Sequence, residues 1–382
     1  MCLWMQNSWR AVGFTVDSHA KKTPQIKDFL NESFVKDFFQ QQSHRRALSL
    51  SGSKILKCEI NPLKIGNSKA AIEFILQLDA GKKKDQSKYH QYNHHPLYKS
   101  FIGKWRRDGK GKEIFVHLQK IWHRGFNREG FDIKDGRLKI YEPIAYFPSH
   151  NLMLTSKASG IRLKDMFVQK RVGKEEIETH IMQAASWLAK LHSIRPLPGG
   201  VYYSMKAEEE KLNEWSEHLR HIYPDFAEKI CNMVCYILDK ERSLDSKCFV
   251  LIHGDFHSGN IFVDGNDITV IDLEASCIFD PAKDLGYFIA KLLATKKRYQ
   301  LALDIRLQER FLEIYTANIR SSSYKKGILE RVDIYKARSY IQLLHSRYCR
   351  HIHFKDYTRY EKHKLDPIDF RYWIKRAEEC LH

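Results

Sequence analysis

The spacing of apolar residues divides the chain into a first half of mixed helix and strand and a second half that is mainly helical. Over residues 23–48, Ile26, Phe29, Leu30, Phe34, Phe38 and Phe39 recur near the 3.6-residue period, which predicts one helix after an irregular lead-in. Apolar runs then predict strands over 55–60, 70–78 and 98–105, separated by Pro62, by Gly66-Asn67-Ser68 and by a polar loop at 81–96. Gly109 and Gly111 open a helix to about Trp122, whose Ile114, Phe115, Leu118 and Ile121 share one face. Strands are predicted again over 139–146 and 152–155.

Past Gly160 the period changes. Ile177, Ile181, Ala184, Leu188 and Leu191 follow helical spacing, and further helices are predicted over 285–295, 306–318, 328–350 and 370–381. One island of strands interrupts them: 249–253, then 261–263 and 268–271 as a hairpin about Asp264-Gly265-Asn266-Asp267. The change of character, with residues 155–159 as the linker, predicts a lead-in with an N-terminal helix (1–48), a nucleotide-binding N-lobe (49–155) and a catalytic and substrate-binding C-lobe (156–382).

Composition narrows the class. At 43% hydrophobic and 29% charged, the chain has the balance of a globular protein and not of a disordered or fibrous one. It contains no apolar run of the ~20 residues that a spanning helix needs, and residues 1–14 lack a secretory pattern. The eight cysteines have no zinc-type spacing, which predicts reduced thiols in a cytoplasm. Sixty-four Lys and Arg against 46 Asp and Glu give a net charge of +18, a field that attracts anionic surfaces or a lipid-linked substrate. No nucleic-acid-binding motif accompanies it, so nucleic acid is not the expected partner. Oligomeric state is not legible in the chain.

The chemistry concentrates in His253-Gly254-Asp255-Phe256-His257-Ser258-Gly259-Asn260 and, across the hairpin, Ile271-Asp272-Leu273-Glu274. An Asp followed five positions later by Asn suits a loop in which a carboxylate orients a hydroxyl and an amide oxygen meets a metal. Asp272, at the end of the returning strand, brings a second hard oxygen ligand beside Asn260, as Mg²⁺ on nucleotide phosphates requires. The bland alternative is a hairpin whose Asp residues only cap turns.

With Asp280-Pro281-Ala282-Lys283-Asp284-Leu285-Gly286, these residues resemble the signature of the aminoglycoside phosphotransferase and choline kinase-like superfamily, small-molecule relatives of the protein kinases. The resemblance implies an α+β, two-lobed protein-kinase-like fold, with a small β-rich N-lobe and a larger, mostly helical C-lobe. It implies an enzyme that uses ATP or GTP with Mg²⁺ and phosphorylates a hydroxyl of a small molecule. Asp255 would be the catalytic base, Asn260 and Asp272 the metal ligands, and His253 and Asp284 the supports of the catalytic loop. Trp187-Leu188-Ala189-Lys190-Leu191-His192 resembles the buried helix before that loop.

In the first half, Lys104 at a strand end and Glu113, the only acid on the next helix, would pair and anchor the α- and β-phosphates. Otherwise Lys104 is one of five basic residues on a solvated turn. Residues 152–160 resemble the inter-lobe hinge, where the backbone of Ser156 and Ala158 would meet the adenine. The phosphate-covering loop departs from the family, since Ile65-Gly66-Asn67-Ser68-Lys69 has one glycine, Gly66, in place of a glycine-rich run.

Two rival classes remain. A catalytically silent kinase-like module would bind nucleotide or a partner as a scaffold. Nucleic-acid binding would rest on the basic residues from Arg320 to Arg350 alone. For an enzyme, the net charge favours a neutral or anionic acceptor, unless Glu208, Glu209, Glu210, Glu214 and Glu217, on a predicted helix, line the cleft.

Overall fold

The computed structural model describes residues 25–50, 53–79, 97–126, 136–169, 172–196, 199–304, 306–317, 319, 321–348 and 367–381. The early lead-in, the polar loop at 81–96 and the last two residues of the helix predicted to end at 350 lie outside them.

The single helix predicted over 23–48 is three pieces: a 3₁₀ turn at Ile26–Leu30, α1 at Glu32–Gln40 and α2 at Gln42–Ala47. Asn31 is the reason for the first break, because its side chain accepts the Phe34 N–H at 3.0 Å and caps α1. Gln41, with ψ 133°, makes the second. The pieces still present one apolar face. Phe29, Phe38 and Phe39 are fully buried against the sheet described next, with the Phe38 ring 4.9 Å from that of Phe147 and Phe39 5.4 Å from Phe74. Burial of each such side chain is worth ~1.5–3 kcal/mol.

That sheet has five antiparallel strands in the order β1-β2-β3-β6-β5, from β1 (Lys54–Ile65), β2 (Lys69–Asp79), β3 (Leu97–Arg106), β5 (Pro143–Phe147) and β6 (Leu152–Ser156). Pro62, expected to end the first strand, lies inside β1. An edge strand tolerates the missing N–H, and the register shifts beside it, between Pro62 and Lys64. Helix α3 (Gly111–Ile121) packs beneath.

The strand predicted over 139–146 divides between two sheets. Leu138–Ile140 is β4, which pairs in parallel with β10 (Asp267–Val270), while Pro143 onward returns to the first sheet. An apolar run alone does not show which sheet its residues join. β10 pairs with β9 (Ile261–Asp264), and β9 with the short β7 (Ile161–Arg162). β8 (Val250–Ile252) pairs with β11 (Cys277–Phe279), a strand the period-two reading missed because it is three residues long and wholly buried.

Around these strands lie α4 (Leu163–Met166), α5 (Lys174–His192), α6 (Met205–Ile222), α7 (Ala227–Arg242), α8 (Ala282–Tyr299), α9 (Leu307–Ala317), α10 (Ser322–Tyr348) and α11 (Pro367–Glu379). The β-rich first part and helical second part form the two-lobed α+β arrangement that the sequence predicts. α5 is the central buried helix: Trp187 stacks on Phe256 at 5.4 Å and donates its indole N–H to the Lys139 carbonyl at 2.9 Å. This ties β4 and the loop after β8 to one side chain.

Much of the basic charge on α10 turns inward. Arg331 meets Asp280 at 2.6 Å, and Arg338 meets the buried Glu208 of α6. Glu208 also takes the Tyr203 hydroxyl and lies 3.7 Å from Lys283. Of the five glutamates on α6 it alone is buried, and Glu209 pairs with Arg242 at 2.8 Å.

Candidate active site

Asp284, in the first turn of α8, is 1% exposed and accepts three hydrogen bonds, which hold the end of β8 in place. The His253 N–H donates to it at 2.6 Å, the Gly254 N–H at 2.9 Å, and His192 Nε2 lies at 3.2 Å. Burial pushes the Asp284 carboxyl up, yet the hydrogen bonds from His192 and from the His253 backbone hold it below the usual carboxylate range. Asp284 is the residue that the sequence names as the support of the loop.

His253 fixes the two arms of the loop to each other. Its Nε2–H donates to the Ile271 carbonyl at 3.0 Å, and its Nδ1 accepts the Asp255 N–H at 3.2 Å, so one neutral tautomer serves both. Gly254 between them has φ +81°, and a Cβ there would lie 2.5 Å from the Ala275 carbonyl oxygen. Gly254→Ala is therefore expected to cost ~1–3 kcal/mol of strain and to displace the loop. Thermal unfolding checks this: an unchanged melting temperature would mean that the backbone relaxes freely.

Asp255 projects from this frame with its side chain 42% exposed. The Tyr287 hydroxyl of α8 hydrogen-bonds to it, and His257 Nε2 lies 3.7 Å from its Oδ2. His257 Nδ1 accepts the Gly259 N–H at 3.0 Å, so the hydrogen sits on Nε2, facing Asp255. Burial pushes the His257 pKa down to about 4, so near neutral pH the imidazole is an uncharged neighbour of the carboxylate. Asn260 donates its amide N–H to the Asp255 carbonyl at 3.0 Å, which reserves its amide oxygen for another partner.

Asp272 has φ +69° and ψ 38°, a left-handed conformation that is uncommon outside glycine. It begins a tight turn at Leu273–Ala275, with Leu273 fully buried. Lys104 reaches from β3 to Asp272 Oδ1 at 2.9 Å and to Glu274 Oε1 at 2.8 Å. Arg106, two residues on, meets Glu274 Oε2 at 2.9 Å and is itself held by Asp108. Burial lowers the Lys104 pKa, but the Tyr141 hydroxyl, Glu274 and Asp272 together raise it well above the usual value, so the amine stays charged. Asp272 is lowered despite burial, chiefly by Lys104.

The expected Lys104–Glu113 pair is not formed. Glu113 lies on an exposed face of α3, and the acids that Lys104 meets come from the turn after β10. Lys104 is accordingly no member of a solvated basic turn. At the predicted hinge, the Ser156 N–H is taken by the Glu142 carbonyl at 2.9 Å and the Ser156 hydroxyl accepts the Glu142 N–H at 2.8 Å. Its backbone donor is thus committed, while Ala158 is nearly buried beside it. Lys157 between them meets Glu73 of β2 at 2.6 Å. Gly66 closes the β1–β2 turn by donating to the Lys69 carbonyl at 3.0 Å, and it is exposed.

Asp255, Asn260, Asp272 and Lys104 thus belong to one hydrogen-bonded and ion-paired unit spanning the two lobes. Sequence reasoning overlooked the roles of Glu274, Arg106, His257 and Tyr287. The first could have been found from its spacing of two after Asp272. Tyr287 could have been found only from its place one helical turn below Asp284.

Residues 149–322 match the family described as "Phosphotransferase enzyme family", APH. Among curated proteins no sequence relative matches the chain. Among solved structures, the chain is similar to an ethanolamine kinase of Plasmodium vivax at 15% identity, covering 81% of this chain and 82% of that one with a TM-score of 0.49. It is similar to a choline/ethanolamine kinase family protein from Mesorhizobium loti at 14% identity, covering 79% and 88%, TM-score 0.45. It is also similar to the ADP-bound aminoglycoside phosphotransferase APH(2'')-Ib at 12% identity, covering 90% and 97%, TM-score 0.46.

Proposed function

We propose that this chain, a member of the phosphotransferase enzyme family through residues 149–322, transfers the γ-phosphoryl group of ATP or GTP to a hydroxyl of a small molecule. The observation that carries the reading is the contact of Lys104 with Asp272 at 2.9 Å, which joins an N-lobe strand to the turn after β10, itself tied through His253 to the loop held by Asp284. A cation from one lobe and hard oxygen ligands from the other are what phosphate binding between lobes needs.

The division of labour follows from the groups. Asp255, exposed at the cleft and held by the Tyr287 hydroxyl, accepts the proton of the acceptor hydroxyl as its oxygen bonds to phosphorus and the bond to the β-phosphate oxygen breaks. Lys104 offsets charge on the phosphates, with Gly66 and its turn above them and the hinge at Ser156 and Ala158 beside the purine.

Among the described residues no group of three or more His, Cys, Asp or Glu is placed to hold a metal. The donor set is the Asp272 carboxylate with the Asn260 amide oxygen. That suits magnesium, which keeps several waters and binds through one or two protein ligands plus substrate phosphates. When bound, the ion neutralises phosphate charge. Asp272→Ala and Asn260→Ala are expected to weaken Mg-nucleotide binding by at least the roughly 10- to 100-fold that even outer-shell partners cost. Asp272→Ala should cost more, since a formal charge leaves with the ligand. Titration of nucleotide with and without magnesium checks both. Equal Mg-nucleotide affinity for wild type and Asp272→Ala would remove Asp272 from the metal site.

For the acceptor we favour a neutral or anionic hydroxyl compound. The charge of +18 repels polycations. The acid that could have opposed it, Glu208, is spent on Arg338, Lys283 and Tyr203 inside the C-lobe. Lys291, over the Tyr287 ring at 5.1 Å, adds positive charge near Asp255. No helix among the described residues is long and apolar enough to cross a membrane. Nucleotide turnover measured against an aminoglycoside, an amino alcohol, a neutral sugar and a sugar acid, at low and moderate salt, tests the reading. No turnover with any hydroxyl compound, in a protein that binds nucleotide, would favour a silent module. Preference for the aminoglycoside at both salts would refute the charge argument.

A further inference from the structure

We propose that Glu274 is the residue that positions Lys104 for the nucleotide phosphates, in place of an acid on the helix after β3. The inference rests on the nucleotide-site reading above and assigns a residue to it.

Lys104 is the only link between β3 and Asp272 that the described contacts provide, and it divides its ammonium between Asp272 and Glu274 at 2.9 and 2.8 Å. Asp272 has a second call on it as a metal ligand, so a lysine oriented by Asp272 alone would lose its anchor when that carboxylate is engaged. Glu274 has no such call. Its other oxygen is taken by Arg106 Nη1 at 2.9 Å, and Arg106 is fixed from behind by Asp108 at 3.0 Å. Asp108, Arg106, Glu274 and Lys104 therefore alternate in sign along a chain that ends at the ammonium. Both cations come from one face of β3, two residues apart, as the period of a strand dictates.

The turn that carries Glu274 is itself anchored. Left-handed Asp272 reverses the backbone, the Ser276 hydroxyl donates to the Leu273 carbonyl at 2.5 Å, and His117 of α3 lies 2.8 Å from that hydroxyl. α3 thus meets the turn through His117, and its own acid, Glu113, is left facing solvent. A carboxylate held on both oxygens by cations, on a turn fixed at three points, orients a lysine better than an exposed glutamate could.

The test compares Glu274→Gln, Glu274→Asp and Glu113→Gln with wild type, reading the dissociation constant for ATP by titration calorimetry with magnesium and with a chelator. Acylation of Lys104 by an amine-directed reagent, followed by mass spectrometry, gives a readout independent of turnover. Glu274→Gln should raise the dissociation constant by about tenfold or more, the loss expected for a hydrogen bond between charged groups. It should also speed Lys104 acylation, with Glu274→Asp between it and wild type and Glu113→Gln within about twofold of wild type. Should Glu274→Gln fail to fold, Glu274→Asp and Glu113→Gln decide. A loss in Glu113→Gln equal to that in either Glu274 variant, or unchanged affinity and acylation in the Glu274 variants, would overturn the assignment. A wild-type protein that binds no nucleotide would instead overturn the reading beneath it.

Discussion

Asp255→Asn is expected to lower kcat by roughly 10²- to 10⁴-fold, the range for loss of a general base, and to leave nucleotide affinity within about twofold of wild type. Asp255 touches Tyr287 and His257 with its side chain, and the loop backbone with its main chain, while the Lys104, Glu274 and Asp272 cluster lies across the turn. Asparagine preserves the size and an acceptor for the Tyr287 hydroxyl but cannot take a proton. A kcat near wild type would show that Asp255 is not the base. A parallel loss of nucleotide affinity would show that the carboxylate acts on the nucleotide instead.

How far the site could be read from the chain depended on whether its groups lie close together in sequence. His253, Asp255, Asn260 and Asp272 lie within twenty residues on one hairpin, so a local pattern places them, and Asp284 follows at the start of the next helix. Lys104 sits at 168 residues' separation from Asp272. That it ends a strand was legible, but which acid would meet it was not. The helix after β3 offered Glu113 by proximity in sequence, whereas the turn after β10 supplied Glu274 by proximity in space. The same contrast governs the fold. Long strands such as β2 declare themselves through Ile72, Phe74, Leu76 and Leu78, all buried on one face. β11, three residues buried on both sides, has no alternation to declare, and the division of 138–147 between two sheets depends on β10, a partner of β4 more than a hundred residues away, while β5 pairs with the nearby β6.

Glu208 carries a related lesson about charge. A run of acids reads as a solvated face, and Glu210, Glu214 and Glu217 are exposed as that predicts. Glu208 stands at the one position of the run that points into the lobe, because Leu212, Trp215 and Leu219 follow it at helical spacing and are buried. Its partners come from α8 and α10, so nothing near it in the chain announces them. Formal charge therefore overstates the free field of both α6 and α10.

The largest stability effect is expected from Asp284→Ala, at about 3–5 kcal/mol, the cost of breaking a buried charged network by removing one partner. Three donors, the N–H groups of His253 and Gly254 and the His192 ring, would lose their acceptor in a dry part of the lobe. Asp284→Asn should cost less, since one amide oxygen can still accept from the two backbone groups. The pH dependence has a definite sign. Because the folded state holds the Asp284 pKa below its unfolded value, the carboxylate's contribution is complete above the ordinary carboxylate range, near pH 4. It disappears as pH falls through the lowered folded value. The stability gap between wild type and Asp284→Ala in urea should thus be constant from about pH 6 to 8 and narrow below about pH 4. Since the same bonds place the loop that carries Asp255, folded Asp284→Asn should lose kcat more than nucleotide affinity. A gap that stayed flat down to acid unfolding would mean that Asp284 acts through packing and not through its charge.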